Sequence, residues 1–178
     1  DCRRQIGGMT QQISVERIGR EGVPVVVFDQ FVARPELLVD DASMLGFAPM
    51  GVHYPGVRAI VPQALVKRFV DPLAPLIEEV FGLRECAVLD ALYSLVTMPP
   101  DGLTPIQRLP HFDGVEPERL ALLHFLTEAP ASGTAFYRHR ATGFETVTAA
   151  RLLEYEPTLA EEIRRDGVPD AAYIKGNT

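Results

Sequence analysis

The residues best suited to chemistry are His111 and Asp113, which stand two positions apart in the segment Leu-Pro-His-Phe-Asp-Gly. In an extended segment successive side chains point to opposite faces, so His111 and Asp113 share one face and Phe112 lies on the other. An imidazole nitrogen beside a carboxylate oxygen suits a first-row divalent metal, and a second histidine would complete the facial triad of non-haem Fe(II) sites. The spacing also fits a plainer alternative, a hydrogen-bonded histidine followed by an Asp-Gly turn. The pair is therefore a candidate metal site that its surroundings must support.

Two further histidines lie in the second half of the chain. His124 stands in a run of leucines and is interpreted as a neutral core histidine. His139 lies between Arg138 and Arg140 and follows Tyr137, which makes a cationic cluster suited to an anionic ligand if this strand lines a pocket. An exposed basic strand end is the alternative. No cysteine lies in a recognisable nucleophile motif and no glycine-rich phosphate loop is present, so hydrolase and nucleotide chemistry have no support.

Composition restricts the class of protein. The 178 residues, 47% of them hydrophobic, are enough for one sizeable core, so a single domain is expected. The net charge of -7 disfavours nucleic acid and anionic membrane surfaces as partners. Two cysteines far apart in the sequence indicate neither a disulfide framework nor a zinc cluster, which favours a cytoplasmic protein. No run of about eighteen apolar residues indicates a membrane span.

Hydrophobic patterning places helices first and strands later. The predicted elements are an irregular arm or edge strand at 1–20, a strand at 23–28, a helix at 35–45, a helix at 63–82 that Pro72 and Pro75 kink or split, strands at 86–98, 106–113, 119–126 and 134–140, and a helix at 149–165 interrupted by Pro157. The loop at 49–62 mixes turn residues with His53, Tyr54 and Arg58, which can line a pocket or remain solvated. This order predicts a mainly β protein with flanking helices (α+β).

Four motifs carry a family resemblance. They are Met-Pro-Pro-Asp-Gly at 98–102, Pro-His-Phe-Asp-Gly at 110–114, Leu-Leu-His-Phe-Leu at 122–126 and Ser-Gly-Thr-Ala-Phe-Tyr at 132–137. In order and spacing they resemble the prolyl-hydroxylase-like branch of the 2-oxoglutarate/Fe(II)-dependent oxygenases, and more narrowly an uncharacterised bacterial group of that superfamily. The resemblance covers residues 85–140 well and the first half loosely.

The resemblance implies a double-stranded β-helix (jelly-roll) core at 85–178, supported by the helices and strand of 1–84. It further implies that His111 and Asp113 are the catalytic metal ligands and that Fe(II) and 2-oxoglutarate are the cofactors. Additional candidates are Tyr93 and Arg138 for cosubstrate binding, and Arg58, Tyr137 and His139 for the substrate pocket. A one-residue change of strand register would turn Arg138 away from the pocket.

The sequence departs from the family pattern in its metal triad. No histidine follows His139, which is too close to His111 to be the distal ligand, and no basic residue follows such a ligand. Either the chain is incomplete after Thr178, with a histidine and then an arginine or lysine still to come, or the triad has been lost. The abrupt Gly-Asn-Thr ending and the unclosed barrel favour an incomplete chain.

The predicted function is an Fe(II)/2-oxoglutarate-dependent dioxygenase that hydroxylates a small molecule or peptide. The alternatives are a non-catalytic β-helix binding or scaffold protein and a cupin-like enzyme with another metal. A homodimer is compatible with the sequence, which does not define the oligomeric state.

Overall fold

The computed structural model describes residues 2–6, 9–127 and 133–169, with only the backbone described for 2–6 and 9–11. Ser132 of the fourth motif and the terminal Gly176-Asn177-Thr178 lie outside the described residues.

An antiparallel sheet of three strands begins the fold. Strands β1 (Cys2–Ile6), β2 (Met9–Ile18) and β3 (Val23–Asp29) pair in the order β1-β2-β3. The β-branched run of β3 confirms the predicted strand at 23–28, and Ile13 of β2 pairs with Phe28 and is buried. The expectation of an irregular arm or edge strand at 1–20 was wrong for β2, which is the central strand of this sheet. The composition of residues 1–20 does not reveal that β2 pairs with β3, because strand pairing depends on a second segment.

Three short helices follow the predicted positions. Helix α1 (Glu36–Ser43) lies within the predicted 35–45, and the second predicted helix is divided into α2 (Gln63–Val70), a single 3-10 turn and α3 (Ala74–Phe81). The division falls at Pro72 and Pro75, since proline lacks the amide hydrogen that continues a helix. Leu38, Leu73 and Leu76 are the buried residues of these helices.

Strands β4 (Gly56–Ile60) and β5 (Leu92–Val96) form a second, two-stranded sheet. Strand β5 is shorter than the predicted 86–98, although it lies inside that range. Gly56 lies directly against the neighbouring backbone. A Cβ built there would overlap the carbonyl oxygen of Leu95 and would lie 2.9 Å from the Thr97 nitrogen. Only glycine therefore permits the backbones of β4 and β5 to come this close.

The predicted double-stranded β-helix is wrong. In the described residues the two sheets have three and two strands, and no strand lies at 106–113, 119–126 or 134–140. Pro105–Arg108 is a 3-10 helix. The run at 119–126 has strand composition, but β-propensity expresses packing on a pleated, half-buried surface, and here Leu122, Leu123 and Phe125 are exposed. Apolar and β-branched composition was therefore mistaken for strand pairing.

Helix α4 (Ala149–Asp166) is the longest helix among the described residues. The Thr148 hydroxyl accepts a hydrogen bond from the Arg151 amide at 3.3 Å and caps its start. The predicted interruption at Pro157 was wrong, because the helix continues through that residue. On the same turn, the hydroxyl of Thr158 donates to the Glu154 carbonyl at 2.7 Å.

The chain divides into two compact units. The first comprises Asp1–Ala48 and Arg58–Ser94, and the second comprises Pro49–Val57 and Leu95–Thr178. Single-domain organisation stays a prediction. Among the described residues, no helix has the length and apolar character needed to span a bilayer.

Candidate metal site

His111 and Asp113 lie side by side in the second unit. His111 Nε2 is 3.7 Å from Asp113 Oδ1, and the two side chains are 84% and 65% exposed. The segment does not pair as a strand and bends at Asp113, so the predicted strand is wrong here, although the two side chains do come together. Both donor groups therefore face solvent, next to each other and open to a ligand.

The segment that enters the pair is held by side-chain hydrogen bonds. Thr104 and Gln107 form a capping box on the 3-10 helix Pro105–Arg108, in which the Thr104 amide donates to Gln107 Oε1 at 2.8 Å. The same Gln107 side chain donates from Nε2 to the carbonyl of His53 at 3.1 Å. These bonds fix the backbone that leads into Pro110 and His111.

The ring of Phe112 anchors the segment between His111 and Asp113. Its ring packs edge-on against Tyr155 of α4, with centroids 5.9 Å apart and planes at 77°. Tyr155 is only 9% exposed. Edge-to-face aromatic contacts are favourable beyond the area they bury. The backbone between His111 and Asp113 is thus tied to a buried residue of the longest described helix.

Tyr155 is itself held by a polar cluster. Its ring packs against His139, with centroids 4.9 Å apart and planes at 71°. His139 Nδ1 lies 2.8 Å from Thr142 Oγ1, and His139 Nε2 lies 2.7 Å from Glu162 Oε2. Burial, and then the charge of Glu162, raise the pKa of Tyr155 above its ordinary value. Each member of the cluster is therefore fixed by at least one other.

The segment that leaves the pair is closed by an ion pair. Arg119 Nε lies 2.9 Å from Glu116 Oε2. Both side chains lie close to Gly114, where a Cβ would be 2.6 Å from Arg119 Nε. Backbone hydrogen bonding within the Glu116 residue, followed by Arg119, lowers the pKa of the Glu116 carboxyl. A residue larger than glycine at 114 would displace this ion pair.

The two donors are close enough to share one divalent ion after a small movement. Donor atoms each about 2.1 Å from an ion are about 3.0 Å apart at the right angle of a facial triad, so the observed 3.7 Å must shorten by about 0.7 Å for that geometry. Within the described ranges, no group of three or more His, Cys, Asp and Glu side chains is placed to hold a metal. The chemistry of the donors suits Fe(II), Mn(II) or Zn(II).

The other candidate residues are distributed over both units. Arg58 and Tyr93 belong to the first unit, and Tyr137, Arg138 and His139 belong to the second. Arg138 Nε lies 3.2 Å from Glu145 Oε1, and His139 bonds Thr142 and Glu162, so both side chains already have internal partners. Their roles in cosubstrate and substrate binding stay predictions.

His124 is not a residue of the buried core, so its interpretation as a core histidine stays a prediction. It is half-buried, and burial lowers its pKa. A neutral imidazole is the form that such an environment favours.

Tyr155 and Glu162 were missed by reasoning from the sequence. They are seven residues apart on the predicted helix, so they share one face, and that spacing was the available signal. The sequence did not show which partners this face would contact, since His139 and Phe112 lie in irregular segments far along the chain.

Comparison with protein families identifies one match. Residues 9–178 match the family model of DUF6445, described as a family of unknown function. The chain belongs to DUF6445. The matched range includes His111, Asp113 and Tyr155. No curated protein and no solved structure matches the chain.

Proposed function

We propose that this protein is an Fe(II)- and 2-oxoglutarate-dependent oxygenase acting on a small molecule or peptide, with His111 and Asp113 as two of its metal ligands. The observation that carries the proposal is the 3.7 Å separation of an imidazole nitrogen and a carboxylate oxygen on one exposed face. The motif order at 98–137 supports the choice of Fe(II) and 2-oxoglutarate among metal chemistries. Among the described residues, no third His, Cys, Asp or Glu side chain is grouped with this pair.

His111 and Asp113 would hold the metal, and Phe112 would keep them in place. His111 binds the metal through a nitrogen of its neutral imidazole, and Asp113 binds it through its carboxylate. Metal affinity therefore falls when the imidazole is protonated. Phe112 limits the movement of both donors because its ring is held by Tyr155. Fe(II) with 2-oxoglutarate supplies the activation of O₂ that hydroxylates an unactivated C–H bond. Within the same unit as the pair, Arg138 is the candidate for the cosubstrate carboxylate, and Tyr137 and His139 are candidates for substrate contacts.

Metal titration tests the ligand pair. Mn(II) binding, followed calorimetrically under anaerobic conditions, is expected to weaken at least about tenfold in His111→Ala and in Asp113→Ala. His53→Ala is the matched control, because His53 is also exposed and only its carbonyl oxygen takes part in the hydrogen bond from Gln107. Equal affinities for the wild type and the His111 variant would refute the ligand assignment.

Turnover tests the reaction class. Protein loaded with Fe(II) is expected to convert 2-oxoglutarate to succinate when O₂ is admitted, slowly without substrate. Succinate that forms in the wild type but not in Asp113→Ala supports the proposal. Metal binding without succinate overturns it in favour of a different metalloenzyme such as a cupin-like one. Absence of metal binding overturns it in favour of a non-catalytic binding protein.

A further inference from the structure

A pocket lies in the first unit, away from the residues of the proposed metal pair in sequence. It has a volume of about 510 Å³, within the range that small-molecule sites occupy. Leu45, Pro62 and Leu65 provide apolar lining. The polar lining consists of Asp41 from α1, Arg68 from α2 and Tyr93 from β5.

Tyr93 is the unusual member of this lining. Its side chain is 9% exposed, and its hydroxyl oxygen is buried without a hydrogen-bond partner in the described part of the chain. Buried polar groups in folded proteins nearly always have a partner, because an unpaired one loses its water without compensation. Burial and then the charge of Asp41 raise the pKa of Tyr93, so the phenol keeps its proton and remains a donor at neutral pH.

The two charges of the pocket are of opposite sign. Asp41 and Arg68 line the same pocket, and neither forms a salt bridge with a described residue. A ligand with one charge would meet an attractive group and a repulsive group in this pocket. A ligand with both charges would be attracted by each, provided that its own charges are correctly placed.

We propose that this pocket binds a small zwitterion of the α-amino acid class. The ligand carboxylate faces Arg68 while the ammonium group faces Asp41, and a small turn of the Tyr93 side chain brings its buried, unpartnered hydroxyl to the carboxylate as a hydrogen-bond donor. An apolar side chain of the ligand packs against Leu45, Pro62 and Leu65. Because Asp41 and Arg68 are exposed and solvated, the expected affinity is in the millimolar range. This site is independent of the proposed oxygenase activity.

Three probes with the same isobutyl group test the ligand class. L-Leucine carries both charges, 4-methylpentanoate lacks the ammonium group, and 3-methylbutylamine lacks the carboxylate. Ligand-observed NMR titration of the full chain is expected to give saturable binding of leucine and binding at least about tenfold weaker for each analogue, equal to about 1.4 kcal/mol. Binding of 4-methylpentanoate or of 2-oxoglutarate as tightly as leucine would overturn the zwitterion and indicate an anion site. Absence of saturable leucine binding would also overturn it.

Neighbouring residues of like charge provide matched controls. Asp41→Asn and Arg68→Gln are each expected to weaken leucine binding at least about tenfold. Asp40→Asn and Lys67→Gln change the same net charge at adjacent exposed positions outside the lining and are expected to leave binding unchanged. Equal losses in Asp40→Asn and Asp41→Asn would show that only overall charge matters and would refute the site.

Tyr93→Phe separates the hydroxyl from the ring. It is expected to weaken leucine binding several-fold without lowering the melting temperature, because the removed hydroxyl has no partner in the free protein. Circular dichroism melting measures this directly. A melting temperature lowered as much as by Tyr93→Ala would mean that the hydroxyl has a structural partner, which refutes its role as a free ligand donor.

Discussion

Replacement of Tyr155 by alanine tests whether this ring connects α4 to the candidate metal pair. Tyr155 is 9% exposed and contacts the rings of Phe112 and His139. Truncation of a buried aromatic side chain to alanine costs about 3–5 kcal/mol of the free energy of unfolding. Two aromatic contacts, each worth about 0.5–1.5 kcal/mol, account for about 1–3 kcal/mol of that loss.

Scanning calorimetry measures the loss as a fall in melting temperature. For a chain of this length, about 2–4 °C per kcal/mol predicts a fall of about 6–20 °C in Tyr155→Ala. Tyr155→Phe keeps both ring contacts and is expected to lose less than about 1 kcal/mol. Leu153→Ala, on the same helix but 83% exposed, is expected to change stability by no more than about 0.5 kcal/mol.

A second measurement distinguishes positioning of the metal pair from simple loss of stability. At a temperature where Tyr155→Ala is still folded, its Mn(II) affinity is expected to be lower than that of Tyr155→Phe, because Phe112 has lost its support. Equal Mn(II) affinities in these two variants would refute the positioning role. A loss in Tyr155→Ala no greater than in Leu153→Ala would refute the packing argument itself.

Three further predictions concern single residues elsewhere. Burial lowers the pKa of His124 below its ordinary 6.5, so the unfolded chain takes up a proton before the folded chain does. The free energy of unfolding should therefore fall as the pH drops through about 6.5 and level off below the folded-state pKa. In urea denaturation at a series of pH values, His124→Gln should reduce this pH dependence, and an unchanged dependence would contradict the prediction. Pro157→Ala should stabilise α4 by about 1–3 kcal/mol by restoring a helical amide, as measured by thermal melting, and a loss of stability would show that the proline is favourable there. Gly56→Ala should cost about 1–3 kcal/mol through overlap with the Leu95 carbonyl, and near wild-type urea midpoints would refute the close approach.

Sequence reasoning succeeded where the structure depends on neighbours along the chain. The helices at α1, α2 and α3 were placed correctly because proline positions and apolar spacing act within one or two turns. The proximity of His111 and Asp113 was likewise predictable, because two residues so close in the chain need no distant partner to bring them together.

It failed where pairing between distant segments decides the outcome. The runs at 106–113, 119–126 and 134–140 have the residues of strands, but a strand forms only when a second segment satisfies its amides and carbonyls. The contact of Phe112 with Tyr155 joins residues far apart in the chain, and the helix face of Tyr155 and Glu162 does not by itself name its partners. Pro157 shows the opposite error, because the rest of α4 tolerates a residue that local rules exclude.

The backbone approach at Gly56 also restricts how this gene can change. A glycine codon becomes, by any single-base missense change, a codon for alanine, valine, serine, cysteine, arginine, aspartate, glutamate or tryptophan. Every one of these residues carries the Cβ that would overlap Leu95. No single-base missense change at this codon is therefore expected to be neutral. A homologue without glycine here needs a second change that moves strands β4 and β5 apart, made before or together with the substitution.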